Sequence, residues 1–484
     1  MTEQVPPPSK SLLVRITSWL GVLILAGCNA GPDYHRPEAL PLEPLPAKFT
    51  VGGTVWAASV PASDRPRGNW WAAFGDDQLN RLEELAATRN QTIAGSMASL
   101  EQARQLVMEA RSQQFPQISV APSYVRQRTS KYAEVQGLPA NASYTYNLYT
   151  LPANLTWEID LWGRIRRQTE GARERLAAAN DDLESLKLML ESELAQDYFT
   201  LRAQDAEIQL LIDTAHTYQR SLDLTLNRRK GGIATDLDVA EADTQLRTTE
   251  AQVPALSLQR EQTLHAIAVL CGEPAMTFTV AERTNDPFTE IHVPAVVPSE
   301  LLERRPDIAA AERRVAAANA DIGVAQTAFY PSLTINGAAG FQSVDAKTWL
   351  SWPGRVWSLG PAVNLPIFTG GFNKAQLAAS RAAYDQAVAN YRQTALSAFQ
   401  DVEDQLTAQQ LLATQLQGEN AALTSAQHTL EIANNRYKAG LVTYLDVVTS
   451  QSAALDIQRT VVELEGVRRV AAVGLIKAIG GGWQ

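Results

Sequence analysis

The sequence predicts a mostly α-helical α+β membrane protein with a two-fold internal repeat. Three observations support this fold class. The segment NRRKGGIATDLDV at 227–239 returns as NRYKAGLVTYLDV at 435–447. Two long stretches, 164–227 and 372–417, contain no proline and at most one glycine, which favours uninterrupted helices. Short segments of alternating polar and apolar residues precede each long stretch, and this alternation is typical of strands.

Composition narrows the function classes. The 484 residues carry a formal net charge of -10, which argues against nucleic acid as a partner. Mean hydropathy is -0.17, and beyond the N-terminus no apolar run approaches the roughly 18 residues of a membrane helix. A chain that crosses a bilayer without such helices has to use a closed β-barrel.

The N-terminus carries a targeting segment. Residues 1–27 read as a signal peptide, with Lys10 and Arg15 before a short apolar region. The sequence LAGC that ends at Cys28 resembles a bacterial lipobox, which implies cleavage before Cys28 and a covalent lipid, diacylglycerol and an acyl chain, on Cys28. The alternative is an unmodified cysteine after an ordinary signal. Asn29 is not the aspartate that this resemblance links to inner-membrane retention, so the outer membrane is favoured.

Domain boundaries follow from composition and from the repeat. Residues 28–75 are rich in proline and predict an extended, acylated strap that leads to the body of the protein near WWAAF at 70–74. Repeat 1 is predicted over 76–285 and repeat 2 over 286–484. No cofactor apart from the lipid and no metal site is expected, because the five histidines are scattered.

The first repeat begins with a predicted helix over 76–114, which is followed by two strands. In the second strand Leu155 and Trp157 alternate with Glu158 and Asp160. An apolar face opposite a polar face favours a strand between lipid and a water-filled lumen. Glu158 and Asp160 then predict a negative lumen with weak cation preference. A half-buried sheet in a soluble sandwich is the alternative for the segment. For the two carboxylates, the alternative is ordinary solvated strand positions near the barrel rim.

Each repeat reads helix–strand–strand–long helix–turn–helix. In both long helices leucines recur every seven residues, which favours coiled-coil packing. The two shorter helices of a repeat sum to about the length of the long one, so we expect them to meet end to end beside it. The heptad leucines are Leu176, Leu183, Leu190, Leu416, Leu423 and Leu430.

Closure of the sheet requires more than one chain. Four strands cannot close a barrel, for which about eight strands are the minimum, and an open sheet edge is not tolerated in lipid. Three copies are therefore predicted to form a 12-stranded trimeric transmembrane β-barrel. The same rotation brings the long helices together as a coiled-coil α-barrel.

Several motifs together resemble a known family, the TolC-like outer membrane factors, and within it the NodT-type outer-membrane lipoproteins of resistance–nodulation–division (RND) efflux systems. The resemblance covers nearly the whole mature chain. It implies a homotrimer, a periplasmic adaptor (membrane fusion) protein and an inner-membrane RND pump as partners. The motifs are GPDYHRP (31–37), WWAAF (70–74), WEIDLWG (157–163), RRPDI (304–308), FYPSLT (329–334) and NRYKAG (435–440).

The repeated segment predicts two helix–helix turns. Gly232 and Gly440 are expected in the left-handed conformation after a helix end. Thr235 with Asp238, and Thr443 with Asp446, have capping-box spacing, with aspartate in place of the usual glutamate or glutamine. Capping alone therefore accounts for Asp238 and Asp446.

The resemblance implies a second role for these turns, as the gated periplasmic mouth. The family's apolar constriction matches Leu445, and the residues that tie helices together in the closed state match Arg436 and Tyr437. Asp446, Asp238 and Asp236 would also face this tip. Thr449 occupies the position where the family often has an aspartate, and Asp236 stands where the second repeat has Tyr444.

The favoured function is a passive outer-membrane conduit for small-molecule efflux, in which a partner supplies the energy. Protein secretion of type I and metal-ion efflux are alternatives, and a periplasmic coiled-coil scaffold is the alternative from another class. An enzyme is not expected, since the sequence has no P-loop, GxSxG, HExxH, CxxC pair or dinucleotide-binding glycine motif.

Overall fold

A computed structural model describes residues 30–39, 50–51, 54–55, 68–130, 132, 143–282 and 304–481. The predicted signal peptide and Cys28 lie outside these residues. No helix in the described part is long and apolar enough to cross a membrane. Its helices are α1 (Asp77–Arg89), α2 (Gln91–Ser112), α3 (Arg164–Lys230), α4 (Asp236–Leu270), α5 (Pro306–Thr327), α6 (Phe372–Lys438) and α7 (Tyr444–Ala478).

The strands form a two-stranded hairpin and one larger sheet. The predicted long helices and both strand pairs are confirmed. Short 3-10 turns cover Trp70–Phe74 and Trp352–Gly354. The strands are β1 (Thr50–Val51), β2 (Thr54–Val55), β3 (Gln117–Val120), β4 (Ser123–Arg128), β5 (Thr145–Ile159), β6 (Ser332–Ser343) and β7 (Arg355–Asn364).

The chain divides into two compact units, and both sequence repeats contribute to each. The repeat boundaries, which remain a prediction, therefore do not coincide with compact bodies. We name the units by their main content. The sheet unit takes its described residues from 1–37, 100–179 and 311–390, and the helical unit from 38–99, 180–310 and 391–484.

The sheet is antiparallel and joins the strands of both repeats. Strand β5 pairs with β6, and β6 pairs with β7. Strands β3 and β4 lie one after the other along the free side of β5, in one continuous register. The strand predicted from Gln117 is thus interrupted at Pro122, which has no N–H to donate to a neighbour. Among the described residues β3/β4 and β7 remain as unpaired edges.

The register sorts side chains onto two faces. Ile118, Leu155, Gly337 and Leu359 form one row across the sheet. The adjacent row on the opposite face is polar and consists of Gln117, Thr156, Asn336 and Gly360. The predicted alternation therefore extends across the sheet from the level of Ile159 to that of Tyr149. Beyond Tyr149, Arg126 and Asn147 continue the first face, and Val125 and Leu148 the second. Apolar side chains on the first face include Val120, Leu151, Trp157, Ile159, Leu333, Ile335, Phe341, Trp357 and Val363.

The predicted single helix over 76–114 is wrong, because Asn90 separates α1 from α2. Its backbone is extended, and its side-chain oxygen accepts hydrogen bonds from the amides of Thr92 at 2.8 Å and Ile93 at 3.1 Å. Hydrophobic periodicity runs through this position and does not reveal the cap. The Asn90 amide also donates to Leu270 O, the end of α4, at 2.7 Å.

The second repeat joins its helices in the same way with different chemistry. The Arg305 guanidinium, just before α5, donates to Ala478 O at the end of α7 at 3.1 Å and to Asp401 at 3.0 Å. In both repeats the C-terminus of one short helix therefore meets the residue before the other short helix. This confirms the end-to-end arrangement of the shorter helices.

The main core of the helical unit encloses a carboxylic acid. Trp70, Trp71 and Leu79 pack with parts of α3, α4 and α7. Glu83 lies among them with no exposed surface, and neither of its carboxyl oxygens has a hydrogen-bond partner. Burial, and secondarily the nearby Glu191 carboxylate, raise the pKa of Glu83 to about 10.

Substitution of Glu83 by glutamine is expected to remove a pH-dependent loss of stability. Between pH 4.5, the ordinary pKa, and about 10, the folded protein keeps a proton that the unfolded chain releases. Stability therefore falls as pH rises, by up to about 1.4 kcal/mol per pH unit. Chemical unfolding should show E83Q close to the parent at pH 4 and more stable at pH 8, with Glu84→Gln on the exposed side of α1 as control. An equal difference at both pH values would contradict this.

A second buried cluster in the helical unit is ionic. Asp205 on α3 accepts from Arg260 Nε at 2.6 Å and from Arg202 Nη1 at 2.9 Å. Arg202 also donates to Gln78 Oε1 at 2.6 Å and to Ala281 O at 2.8 Å. These bonds join α1, α3, α4 and the segment after α4. Neither this cluster nor Glu83 was identified from the sequence.

Candidate functional site

The two repeated segments form matching turns in the helical unit. Gly232 and Gly440 have φ of 74° and 72°, the left-handed region that glycine adopts most readily. After α3, Gly232 N donates to Arg229 O and Ile233 N to Arg228 O, both at 2.9 Å. The turn after α6 has the same bond pattern. Both are Schellman helix ends, as the sequence predicted.

Each turn then opens a helix through a capping box. Asp238 accepts from Thr235 N at 2.7 Å, and Asp238 N donates to Thr235 Oγ1 at 3.2 Å. Asp446 accepts from Thr443 N at 3.1 Å, which repeats the arrangement. Both aspartates therefore hold the turns rigid through local hydrogen bonds.

The turns differ in what bridges their two helices. In the first, Arg229 forms an ion pair with Asp236, and both side chains are exposed. In the second, the rings of Tyr437 and Tyr444 meet edge to face, with centroids 5.1 Å apart, and both are buried. An exposed ion pair contributes little stability, whereas the aromatic pair belongs to a core.

One arginine connects the two turns. Arg228, at the end of α3, donates to Lys438 O at 3.2 Å and to Tyr437 O at 3.3 Å. Its guanidinium carbon lies 4.8 Å from the centroid of the Tyr437 ring. It thus binds the negative end of the α6 dipole and an aromatic face together.

Arg228, the residue that connects the two turns, was not identified from the sequence. The resemblance pointed to Arg436 and Tyr437, of which Tyr437 takes part in this contact and Arg436 is exposed. Arg228 occupies in the first repeat the position of Arg436 in the second. The repeat alignment was therefore the signal that could have identified it.

Each turn presents two exposed aliphatic side chains at matching positions. Ile233 and Leu237 belong to the first turn, and Leu441 and Leu445 to the second. Leu445 is 56% exposed in the single chain. Exposed leucines on a rigid turn are typical of contacts with another protein.

The predicted lumen carboxylates lie where β5 leads into α3. Glu158 accepts from Arg164 Nη2 at 2.6 Å and from Arg164 Nε at 2.8 Å. Asp160 accepts from Arg166 N at 2.9 Å and also forms an ion pair with the Arg166 guanidinium at 3.3 Å. Each carboxylate is thus neutralised by an arginine, so these two residues alone do not make the end of β5 negatively charged. The ion preference of a pore remains a prediction.

Cysteine and metal chemistry contribute little to the described part. Cys271 is buried, and desolvation raises the pKa of its thiol to about 12, which leaves it unreactive. The described residues contain no group of three or more histidine, cysteine, aspartate or glutamate side chains placed to hold a metal.

Comparison with known proteins identifies the family of this chain. The family model described as outer membrane efflux protein matches residues 82–273 and 297–481. The chain belongs to this family. It is 32% identical to the antibiotic efflux pump outer membrane protein ArpC of Pseudomonas putida over 98% of this chain and 96% of that protein. It is 29% identical to the cation efflux system protein CusC of Escherichia coli, over 96% of this chain and 97% of that protein.

The fold agrees with this membership. The solved structure of the outer-membrane channel OprN superposes with a TM-score of 0.84 at 30% identity, and covers 94% of this chain and all of that one. The protein is therefore an outer-membrane efflux channel, a class of transport proteins and not of enzymes.

Proposed function

We propose that three copies assemble into a 12-stranded transmembrane β-barrel continued by a coiled-coil α-barrel, and that this assembly passively conducts small molecules from periplasm to exterior. The observation that carries the proposal is the sheet, which has one apolar face and, within the part of the chain that the structure describes, two unpaired edges. Pairing β7 of one copy with β3 and β4 of the next satisfies both edges and turns the apolar face to lipid.

Aromatic side chains at both ends of the apolar face support membrane insertion. Tyr124, Tyr149 and Trp349 are in contact at one end, with ring centroids 4.9 and 5.7 Å apart. Trp157 lies on the same face eight positions further along β5, about 26 Å at 3.3 Å per residue. Trp162 is just beyond it. This spacing suits an apolar band of about 25 Å with an aromatic girdle at each boundary.

We further propose that Cys28 carries the covalent lipid and anchors the chain in the outer membrane. The lipobox supports the modification, and the placement of the residues that follow supports the location. Ala30 N donates to Trp162 O at 2.9 Å, beside the girdle at the helical end of the sheet. A lipid two residues upstream would therefore enter the membrane beside the end of the barrel wall.

The turns are proposed to face a periplasmic adaptor protein and, through it, an inner-membrane RND pump. The exposed aliphatic pairs of the two turns offer matching docking surfaces. Selection of cargo falls to the pump in this arrangement. We favour drug-like compounds as the cargo. Metal ions are the second candidate cargo, which is supported only by the name of the relative CusC, a cation efflux system protein.

The assembly is tested by purifying the full-length protein with its lipid and measuring both its mass and its conductance in planar bilayers. A trimer that inserts long-lived, water-filled pores is expected. A monomer that leaves the bilayer sealed would overturn the proposal. Detection of the trimer without conductance would reject the channel and retain the assembly.

Leu445 is proposed to narrow the closed mouth. Replacing it by alanine is expected to raise single-channel conductance at least two-fold, because a ring of three leucines would lose most of its apolar bulk. Leu237→Ala, at the matching position of the first repeat, is the control. Unchanged conductance in L445A, or an equal rise in both variants, would reject a specific role for Leu445.

A further inference from the structure

The first described part of the N-terminal segment is residues 30–37, and from here on it is called the strap. It lies in a groove of the sheet unit between the first part of α3 and helix α5. Asn319 Nδ2 donates to Pro32 O at 3.0 Å. Further along, Tyr34 and Arg36 both contact the carboxylate of Glu312, each at 3.2 Å. The contacts involve the strap's backbone as well as its side chains, as in a bound peptide.

Arg167 on α3 holds the start of the strap. Its side chain is 3% exposed, and it donates to Ala30 O at 3.2 Å, Gly31 O at 3.5 Å and the Asp33 carboxylate at 2.9 Å. Arg167 Nη1 donates to Glu170 at 2.9 Å. All three nitrogens of the guanidinium are thus hydrogen-bonded. Three of the four bonds go to the strap, so this buried charge is matched to the strap's conformation.

A pair of glycines lets the strap approach α5. Gly31 has φ of 97°, and a Cβ at this position would collide with the Cα of Gly323. A side chain on Gly323 would in turn approach Ala30 O and the Arg167 side chain to 3.0 Å. Gly31 is required both by its positive φ and by this contact, whereas Gly323, inside α5, is accounted for by the contact alone.

The other repeat lacks this groove chemistry. Helices α3 and α6 have equal length, and their alignment places Ala375 opposite Arg167. The matching ends of α2 and α5 place Met108 opposite Gly323 and Arg104 opposite Asn319. The receptor residues for the strap are therefore present in one repeat only, although the helices are shared by both.

We propose that the groove between α3 and α5 is a binding site for the chain's own mature N-terminal segment, with Arg167 as the residue that positions it. Two residues span at most about 7 Å, so a lipid carried by Cys28 would be attached within about that distance of Ala30. This consequence for the lipid rests on the proposed acylation of Cys28; the binding site does not.

The test is hydrogen exchange of the full-length purified protein, measured on the segment 30–37, whose Ala30 N–H donates to Trp162 O at 2.9 Å. Arg167→Met is expected to raise its exchange rate at least ten-fold. Arg166→Met is the matched control, because Arg166 lies on the same helical turn and pairs with Asp160. If R167M loses protection throughout the chain, Asp33→Asn replaces it; Asp33 is 84% exposed, and a roughly three-fold rise confined to the strap is expected.

Unchanged strap exchange in a folded R167M, or in D33N where that variant is needed, would overturn the binding site. The mass of the N-terminal peptide from the same sample reports the lipid separately. If the strap is protected and Cys28 is unmodified, the proposed acylation is rejected and the binding site is retained. A lipidated chain with an unprotected strap would reject the site alone.

Discussion

Replacement of Asp205 by asparagine is expected to destabilise the folded chain by about 3–5 kcal/mol, the range found when one partner of a buried ion pair is removed. Asp205 is the only carboxylate that both Arg202 and Arg260 contact directly among the described residues. Asparagine keeps the shape and removes the negative charge. Two guanidinium groups, 1% and 8% exposed, would then remain without their shared counter-ion.

The measurement is the urea midpoint of the detergent-solubilised protein, followed by the fluorescence of the buried tryptophans. Glu261→Gln provides the matched control, because Glu261 contacts Arg260 from the half-exposed rim at 3.1 Å. We expect that substitution to change stability by less than about 1 kcal/mol. Similar losses in D205N and E261Q would show that the cluster acts through its net charge and not through Asp205.

Replacement of Arg228 by alanine is expected to weaken the contact between the two turns by about 1–2 kcal/mol, a factor of roughly 5–30 in the ratio of separated to joined turns. The variant loses two charge-assisted bonds to the end of α6 and the contact with Tyr437. Cells that carry it should admit a large antibiotic, vancomycin, which an intact outer membrane excludes.

Arg229→Ala separates this effect from a general loss of positive charge. Arg229 is the next residue, and its ion pair with Asp236 stays within one turn. Its removal should leave both vancomycin sensitivity and the open fraction in planar bilayers at the parent level. Equal sensitivity of the two variants would refute the connecting role of Arg228, as would wild-type behaviour of R228A.

Features that depend on neighbours in sequence were predictable. The long helices follow from the absence of proline and from the heptad leucines, of which Leu183, Leu190 and Leu416 are buried. The left-handed glycines and the capping boxes are encoded within a few residues. Alternation along β5 gave the two faces of the sheet, because a strand's period is local.

Features that depend on distant parts of the chain were not predictable from the sequence. Pairing of β5 with β6 joins the two repeats across α3, α4 and α5 of the described part, and no local pattern specifies it. The partners of Asp205, Arg228 and Arg167 come from other helices or from the strap. The break at Asn90 was missed for a different reason, since its side chain supplies the helix cap without interrupting the hydrophobic pattern.

The bridges within the two turns differ in kind, so the two turns respond differently to salt. The Arg229–Asp236 pair is exposed, so dissolved ions screen it, and its contribution fades as ionic strength rises. The Tyr437–Tyr444 contact is buried and does not weaken in this way. In a ring of three copies, concentrated salt would therefore loosen a contact in every second turn only, and the change in each turn would be small because an exposed ion pair contributes little stability.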